Sequence, residues 1–449
     1  MSVDDPLVWW YGRVDFERRS PVAGDLKLDQ MRGLLRALGE PQRRLRIVHV
    51  AGSKGKGSTS ALLASILRQA GYRTGLFTSP HLSQVEERIQ VDGEPISRPE
   101  LLALLSEIRQ AVPPGIHLTF FEVGTAAGWL HFVRRRVDLA VVEVGLGGRF
   151  DSTNVCTPWL SIITSISYDH VQILGPTLAS IAFEKAGIIK PGRPVLSGVT
   201  DPEAGPVIRR VAAERGSRLR ELEVDFHVAY QPGQLGQRLP TVEVQTERHR
   251  WPPMALGLHG KQQAANAALA VAAVEELRAM GLTIRDEHVA LGLRHVRWPA
   301  RLEVLAHKPL VLLDCAHNVA SIQALVDTLA EAPDRGRRWL IFASSSDKDI
   351  PGMLRVLVAH FHHVAFTRYA HSARAAAPET LATLGEAAGI RSFERFDSAP
   401  EAWRTVYSQA SPDDLILVAG SVFLAGELRP IIQESVNQPQ PPTTTEETS

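Results

Sequence analysis

Short apolar runs rich in β-branched residues alternate with helix-length segments along most of this chain. Such alternation predicts an α/β fold in which a buried, mainly parallel sheet is covered by helices. The predicted strands are LRIVHVA at 45–51, 74–78, DLAVVEV at 138–144, 160–165 and 194–197, with helices at 58–70, 122–136, near 178–186 and before Arg218. We therefore expect one large α/β domain in this part of the chain.

The pattern changes twice further along. Polar alternation between Asp225 and Arg250 predicts an antiparallel ribbon at a sheet edge, and 262–280 predicts a long Ala-rich helix. From Leu302 the strand–helix rhythm restarts, which predicts a smaller, doubly wound, Rossmann-like domain. We place domains at 1–298 and 299–436. The remaining 437–449, rich in Pro, Thr and Glu, is expected to be a disordered tail.

Composition narrows the function classes. Lys plus Arg and Asp plus Glu both number 49, so the net charge of zero gives no sign of a nucleic-acid or membrane partner. The two cysteines, Cys156 and Cys315, are too few for a disulfide framework or a Cys-based zinc site. The N-terminus lacks a secretory signal, and no apolar run reaches the roughly 18 to 20 residues of a spanning helix. We expect a cytoplasmic protein.

The strongest local signal is IVHVAGSKGKGSTSALLASIL at 47–67, an apolar strand followed by a glycine-rich loop and a helix. Glycines let backbone N–H groups surround a phosphate, and a helix N-terminus adds partial positive charge. Lys56 supplies a cation and Ser58 a hydroxyl for Mg²⁺, although Gly57 separates them, unlike in a strict Walker A loop. The alternative is an ordinary glycine-rich turn, but the order of these parts favours nucleotide binding.

Three further side chains are candidates for the same chemistry. Glu143 ends a buried strand beside the predicted phosphate loop, where a carboxylate can bind a nucleotide-associated Mg²⁺. A solvated acid at a strand end is the alternative. Taken singly, His170 is typical of a packed histidine and Lys185 of a surface lysine, so spacing alone assigns neither a role.

With these motifs in place, the chain resembles the folylpolyglutamate synthase and dihydrofolate synthase family of the Mur ligase superfamily. The resemblance extends from His49 to about Pro430 through HVAGSKGKGS, TSPHL, FFEVGTAAGWLHF, EVGLGGRFDSTN, IAFEKAGIIK, WPARLE, LDCAHN and SDKD. It implies a central ATPase domain and a smaller C-terminal Rossmann-like domain.

The resemblance also implies individual roles. The implied nucleotide-binding residues are Gly52, Ser53, Lys54, Gly55, Lys56, Gly57, Ser58, Asn266, Arg301 and Asp314. One Mg²⁺ is implied at Ser58 and Glu143, and a second at Glu143, His170 and Lys185, the lysine being carbamylated. The implied catalytic residues are Lys56, Lys185 and His317. The implied substrate-pocket residues are Ser79, Pro80, His81, Phe121 and Glu122. A monovalent cation stays open as a further cofactor.

The implied reaction transfers the γ-phosphoryl group of ATP to a folate or dihydropteroate carboxylate, and the amine of L-glutamate then attacks the acyl phosphate. The partners that the resemblance implies are ATP, L-glutamate and the folate or dihydropteroate. The resemblance also implies a monomer. One alternative is a Mur-type ligase acting on another carboxylate and amino acid. Another is a non-catalytic ATP-binding regulator, against which the joint retention of Lys56, Glu143, His170, Lys185 and His317 argues.

The chain departs from the family pattern at a few positions. Lys54 stands where Asn is usual, Gln262 where His is usual, and Ala300 where Gly is usual. The segment 11–39 replaces the familiar leucine-rich opening, which borders the folate pocket in relatives. None of these changes removes a proposed ligand, but the last one bears on the choice of substrate.

Overall fold

The computed structural model describes residues 5–15, 27–332, 336–370 and 374–437. The chain forms two compact units, one of Met1–Gln231 with Pro240–Arg297 and one of Pro232–Leu239 with Trp298–Ser449. The second unit therefore includes a short excursion, Pro232–Leu239, that the sequence pattern placed in the first domain. The tail predicted at 437–449 starts one residue too early, because Asn437 is the last residue of the final helix; 438–449 lie outside the described residues.

The first unit is built on an eight-stranded sheet. Its strands are β1 (Ile47–Ala51), β2 (Thr74–Phe77), β3 (Ile89–Val91), β4 (Glu94–Pro95), β5 (Leu139–Glu143), β6 (Leu160–Ile163), β7 (Val195–Ser197) and β8 (Leu219–Glu221). Their order is β4-β3-β2-β5-β1-β6-β7-β8. The run from β2 to β8 is parallel, and β1, at its centre, is buried at every residue. The prediction of a mainly parallel sheet is confirmed.

One edge of this sheet is antiparallel, which the sequence analysis did not foresee. β3 pairs antiparallel with both β2 and β4, and Val91 and Glu94 flank a two-residue turn. Asp92 and Gly93 both have positive φ, 55° and 84°, as a type I′ hairpin requires. The Asp-Gly pair was therefore an available sequence signal for this hairpin.

Ten helices of the described chain belong to the first unit. They are α1 (Pro6–Tyr11), α2 (Asp29–Ala37), α3 (Lys56–Gln69), α4 (Arg98–Ala111), α5 (Phe120–Arg134), α6 (Val171–Leu174), α7 (Leu178–Ala186), α8 (Gly205–Glu214), α9 (Lys261–Ala279) and α10 (Asp286–His295). The predicted Ala-rich helix is α9, displaced by one residue. Most of its residues are buried, which explains why it shows no polar stripe.

The predicted antiparallel ribbon exists, but it is a separate sheet and not an edge of the large one. Its strands are β9 (Phe226–Gln231), β10 (Thr241–Thr246) and β11 (Met254–Ala255), in the order β11-β10-β9. β9 and β10 alternate buried with more exposed residues, as expected for strands covered on one face.

The second unit contains a six-stranded sheet. Its strands are β12 (Glu303–His307), β13 (Leu310–Leu313), β14 (Arg338–Phe342), β15 (His363–Phe366), β16 (Phe393–Arg395) and β17 (Leu415–Ala419), in the order β12-β13-β17-β14-β15-β16. All pairs are parallel except β12 with β13. The helices are α11 (Val319–Thr328), α12 (Ile350–Leu357), α13 (Pro378–Ala388), α14 (Ala399–Gln409) and α15 (Val422–Asn437). The predicted doubly wound domain is thus present.

Throughout the ranges that the structure covers, no helix is both long and apolar enough to cross a membrane.

Candidate active site

The glycine-rich loop connects β1 to α3, as the sequence predicts. Gly55 is the N-cap of α3 and has a φ of +83°, a conformation that favours glycine. A β-carbon at Gly55 would collide with the Asn266 amide of α9, and one at Gly52 would collide with Thr164. Glycine is therefore required at both positions by the close approach of neighbouring segments.

The loop is held by hydroxyl-bearing residues that follow β6. The Ser53 N–H donates to the Ser165 carbonyl at 2.7 Å, and the Lys54 N–H donates to Ser165 Oγ at 3.1 Å. Thr164 Oγ1 donates to the Lys54 carbonyl at 2.6 Å, and Ser53 Oγ donates to the Ser167 carbonyl at 3.0 Å. These bonds hold the loop's shape before any ligand arrives. These contacts were not predicted from the sequence, although a run of hydroxyl residues after a parallel strand was a visible signal.

Glu143 lies beside the loop because β5 pairs with β1, with Val50 opposite Glu143. Its Oε1 is 3.9 Å from Lys56 Nζ, and its Oε2 accepts the Ser79 N–H at 3.3 Å. Ser58, in the first turn of α3, is also buried. The structure therefore brings Lys56, Glu143 and Ser79 together and rules out a solvated acid at Glu143.

Lys185 is a buried residue near the end of α7, and not the surface lysine that its sequence context suggests. Its side chain is 4% exposed, and Nζ donates to the Gly52 carbonyl at 3.0 Å. Burial, followed by the positive charge of Lys56, lowers the pKa of Lys185 to about 7. This shift favours the uncharged form of the amine, which is the form that can act as a nucleophile.

His170 is exposed, so the reading as a packed histidine is wrong. It stands at a φ of 50° with Nε2 3.7 Å from Asp169 Oδ1. Asp169 also accepts Lys54 Nζ at 3.2 Å. Burial alone would raise the pKa of Asp169, but the charges of Lys54 and His170 outweigh it and the pKa is lowered. Within the described ranges no three His, Cys, Asp or Glu side chains are grouped to hold a metal.

Of the predicted substrate-pocket residues, Ser79 contacts Glu143 directly. His81 Nδ1 accepts Arg88 Nε at 2.8 Å, which places the proton of the neutral ring on Nε2. Phe121 lies against Gly145 so closely that a β-carbon at Gly145 would collide with it. The Glu122 carboxylate forms the capping box of α5 with Thr119, at 2.8 Å from its N–H, and burial raises the pKa of Glu122. Pro80 follows Ser79 through a cis peptide bond.

Asp151 is a buried acid that the sequence analysis did not single out, although it stands in the quoted motif EVGLGGRFDSTN. Its carboxylate accepts the Leu146 N–H at 2.9 Å and the Thr153 N–H at 3.0 Å. These bonds fold the glycine segment that follows Glu143 back on itself. Burial raises the pKa of Asp151.

Asn266 lies in α9 and is joined to the nucleotide loop's helix. Thr59 Oγ1 of α3 donates to Asn266 Oδ1 at 3.3 Å, and Asn266 Nδ2 donates to Gln263 Oε1 at 2.9 Å. Thr59 and Gln263 were not predicted; their contribution follows from contacts between distant segments.

The second unit carries the remaining predicted residues around the end of β13. Asp314 accepts the Leu302 N–H at 2.8 Å and the Ala316 N–H at 2.7 Å, and burial raises the pKa of Asp314 although Arg301 opposes the shift. Arg301 contacts the buried sulfur of Cys315. His317 Nδ1 donates to the Cys315 carbonyl at 2.9 Å, so Nε2 of the neutral ring has the lone pair.

The backbone before Arg301 shows why glycine is usual in the family where this chain has Ala300. Ala300 has a φ of 53° and Leu302 a φ of 46°, both in the left-handed region. Glycine adopts this region without steric cost, which accounts for the glycine usual in the family at the place of Ala300.

The chain is similar to known proteins along nearly its whole length. Residues 50–274 match the Mur ligase middle domain, and residues 300–422 match the Mur ligase glutamate ligase domain. The dihydrofolate synthase/folylpolyglutamate synthase of Bacillus subtilis (strain 168) is 34% identical over 438 residues, covering 95% of this chain and 98% of its own length.

Solved structures agree with these matches. Escherichia coli FolC in complex with DHPP and ADP has a TM-score of 0.84 at 29% identity, covering 96% of this chain and 99% of that one. The bifunctional folylpolyglutamate synthase/dihydrofolate synthase of Yersinia pestis, complexed with AMPPNP and Mn ion, has a TM-score of 0.82 at 29% identity, covering 96% and 98%.

Proposed function

This chain belongs to the dihydrofolate synthase/folylpolyglutamate synthase family of Mur ligases, and from that premise we propose that it joins L-glutamate to a folate or to dihydropteroate at the expense of ATP. The observation that carries the proposal is the nucleotide loop between β1 and α3, with Lys56 facing Glu143 and the buried amine of Lys185 on the Gly52 carbonyl. The reaction is an ATP-dependent amide ligation.

The first step activates a carboxylate, which is a poor electrophile in water. A substrate carboxylate oxygen attacks the γ-phosphorus of ATP, ADP leaves, and an acyl phosphate results. The amine of glutamate then attacks the acyl carbon, inorganic phosphate leaves, and the amine nitrogen gives up a proton. No Ser or Cys nucleophile is needed, in keeping with the burial of Cys315.

The chain's own residues serve this reaction by positioning and charge. We assign the phosphates to residues 52–58, whose N–H groups and helix N-terminus favour anions, with Lys56 offsetting the charge of the γ-phosphate. Asn266, Arg301 and Asp314 are assigned to the rest of the nucleotide, and His317 to the transferring phosphate. Ser79, Pro80, His81 and Phe121 are assigned to the acid substrate. Glu122, used in the α5 cap, is assigned an indirect role through Thr119.

Ser58 and Glu143 offer the hydroxyl and carboxylate oxygens that suit Mg²⁺, whereas His170 offers a nitrogen and Lys185 offers oxygens only as a carbamate. We assign one ion to Ser58 and Glu143 and a second to Glu143, His170 and carbamylated Lys185. When bound, the ions neutralise charge on the phosphates. The low pKa of Lys185 supports the carbamate, because only an uncharged amine attacks CO₂. The proposal also includes a monovalent cation as a further cofactor. It further includes a monomeric state and a cytoplasmic location.

A single substitution tests the nucleotide-loop assignment. Lys56→Ala removes the cation, and we expect glutamate-dependent ADP release to fall by about 10² or more, with far-UV circular dichroism unchanged. The matched control is Lys308→Ala, which deletes an exposed lysine in the second unit and should keep full turnover. Undiminished turnover of Lys56→Ala would contradict the assignment.

A further inference from the structure

The backbone on either side of Arg301 is held in an unfavourable conformation. Ala300 has a φ of 53° and Leu302 a φ of 46°, and the β-carbon makes this left-handed region costly for both residues. Strained residues of this kind persist only where their surroundings hold them, and they concentrate at binding and catalytic sites. We call residues 300–302 the strained turn.

Several hydrogen bonds hold the backbone of the strained turn. The Ala300 N–H donates to Glu303 Oε2 at 3.0 Å, and the Ala300 carbonyl accepts the Cys315 N–H at 3.1 Å. The Leu302 N–H donates to Asp314 Oδ2 at 2.8 Å. Each strained residue is thus held by a carboxylate. Asp314 is already assigned to the nucleotide, whereas Glu303 has no assigned role.

Glu303 is itself oriented by an arginine from the last helix. Glu303 is the first residue of β12, the edge strand of the six-stranded sheet, and Arg429 lies in α15. Arg429 Nε donates to both carboxylate oxygens of Glu303, at 3.1 and 2.9 Å, and Nη2 donates to Oε1 at 2.7 Å. A guanidinium bound through two nitrogens fixes the orientation of a carboxylate as well as its distance. Oε2 is therefore held where the Ala300 N–H reaches it.

The side chain of Arg301 depends on the backbone of the strained turn. Its Nη1 donates to the Ala300 carbonyl at 3.0 Å and contacts Cys315 Sγ, so the guanidinium lies against the turn itself. A change in the φ of Ala300 would rotate this carbonyl and displace the guanidinium. The position of the Arg301 guanidinium therefore depends on the peptide groups that Glu303 and Arg429 hold.

We propose that Arg429 is a positioning residue for Arg301 and acts through Glu303 and the strained turn. This inference rests on the proposed function, in which Arg301 is assigned to the nucleotide. Neither Arg429 nor Glu303 is among the residues assigned to ATP or to the acid substrate. Because Arg301 serves ATP binding in the ground state and the transition state alike, its displacement raises the KM for ATP and leaves kcat nearly unchanged.

Two measurements on the full-length protein test the proposal: calorimetric titration with AMPPNP and Mg²⁺, and the KM for ATP in glutamate-dependent ADP release. Arg429→Gln removes the two-nitrogen contact that orients Glu303. We expect this variant to bind AMPPNP about fivefold more weakly and to show a similar rise in KM, with kcat within about twofold of the wild type.

The matched control is Arg209→Gln, which breaks a similar pair in the first unit. Arg209, on α8, donates to the carboxylate of Glu221 at 2.7 Å, and Glu221 lies on β8, the edge strand of the eight-stranded sheet. Both pairs join a helix to an edge strand, but Arg209 and Glu221 hold no strained residue beside an assigned nucleotide contact. We expect Arg209→Gln to leave AMPPNP affinity and the KM for ATP unchanged.

A second substitution distinguishes positioning from a general loss of stability. Ala300→Gly removes the steric cost of the left-handed conformation, so the turn no longer depends on the ion pair. In the double variant Ala300→Gly/Arg429→Gln we expect AMPPNP affinity to return to within about twofold of the wild type. Arg429→Lys keeps the charge but not the two-nitrogen contact, and its affinity should be intermediate; it serves as a second variant should Arg429→Gln fold poorly.

Three results would overturn the proposal. Wild-type affinity in Arg429→Gln with lowered stability in urea would indicate a merely structural ion pair. Failure of Ala300→Gly to restore affinity would disconnect Arg429 from the strained turn, and equal weakening by Arg209→Gln would indicate a general effect. Because AMPPNP binding needs no ligation, the expected affinities without glutamate-dependent ADP release would count against the proposed function alone.

Discussion

Lys185 owes its lowered pKa first to burial and then to the charge of Lys56, a residue far from it in the sequence. In IAFEKAG it has the context of a surface lysine, yet it lies buried against the Gly52 carbonyl with Lys56 close enough to lower its pKa. Neither Gly52 nor Lys56 is near it in the chain. Spacing could therefore not assign it a role, and only the family resemblance marked the position. His81 differs, because its tautomer depends on a residue only seven positions away: the buried Arg88 donates to Nδ1 and leaves the proton on Nε2.

The carbamate proposal predicts a chemical rescue. Lys185→Ala should reduce glutamate-dependent ADP release to background, because it removes the nitrogen that would carry CO₂. Short carboxylates such as acetate should restore part of the activity by refilling the space of the carbamate. Lys185→Arg, which retains a cation but forms no carbamate, should be inactive with little rescue. Full turnover of Lys185→Ala without any additive would rule out the role.

At the scale of elements, the sequence was most informative about the order of strands, loops and helices. It was least informative about the contacts between elements that are distant in the chain. The β1–loop–α3 unit follows from apolar runs and glycines that are local in the chain. Its attachment to Thr164, Ser165 and Ser167 and to Asn266 depends on which strands are neighbours. The β3–β4 hairpin was missed for another reason: the Asp-Gly turn was present, but the flanking strands are only three and two residues long.

Two glycines of nearly equal φ separate backbone strain from steric collision. Gly55, at +83°, would place a β-carbon on Asn266, whereas Gly71, at +85°, has open space around it. Alanine at Gly71 should cost about 1–2 kcal/mol in free energy of unfolding from backbone strain alone, and alanine at Gly55 should cost more because its β-carbon also collides with Asn266. Only Gly55→Ala should weaken binding of a non-hydrolysable ATP analogue, by about tenfold or more. Equal affinities in the two variants, measured by calorimetry beside chemical denaturation, would contradict the loop assignment.

The buried His49, in the central strand β1, should make the stability of the fold depend on pH. Burial lowers the pKa of His49 to about 3, helped by the charge of Lys190, from 6.5 in the unfolded chain. As the pH falls below 6.5 the unfolded chain therefore takes up the proton first. This contribution to stability is complete above pH 6.5 and is lost at about 1.4 kcal/mol per pH unit as the pH falls toward 3.

His49→Gln removes this titration while keeping a side chain able to bond Thr153, which lies 2.8 Å from His49 Nε2. We expect the free energy of unfolding, measured with urea between pH 7.5 and 5, to change less steeply with pH than in the wild type. The difference in slope should correspond to the uptake of about one proton. His117→Gln, an exposed control, should leave the slope less changed. An unaltered slope in His49→Gln would show that His49 is not buried neutral.

At the scale of the whole molecule, the chain forms two units that each have their own core. Leu235 illustrates why the division was only partly predictable. It is fully buried in the core of the second unit, and its N–H donates to the Glu331 carbonyl at 2.9 Å, although it lies between β9 and β10 of the first unit. The strand–helix rhythm marks a change near Trp298, but it contains no signal for a short segment that packs with a later part of the chain.

The predicted site residues are correspondingly divided. Lys56, Glu143, Lys185 and Asn266 belong to the first unit, and Arg301, Asp314 and His317 to the second. The roles proposed for these residues are divided between the units, so activity of the full chain is the property to measure.

The most direct test is glutamate-dependent ADP release by the full-length protein with ATP and Mg²⁺, run in parallel with dihydropteroate and with a reduced folate monoglutamate. We predict ADP release that requires both glutamate and at least one of these acids. Activity with both acids would mean an enzyme that makes and extends folate, and activity with the monoglutamate alone a dedicated polyglutamate synthase. ATP binding without glutamate-dependent release for either acid would contradict the account.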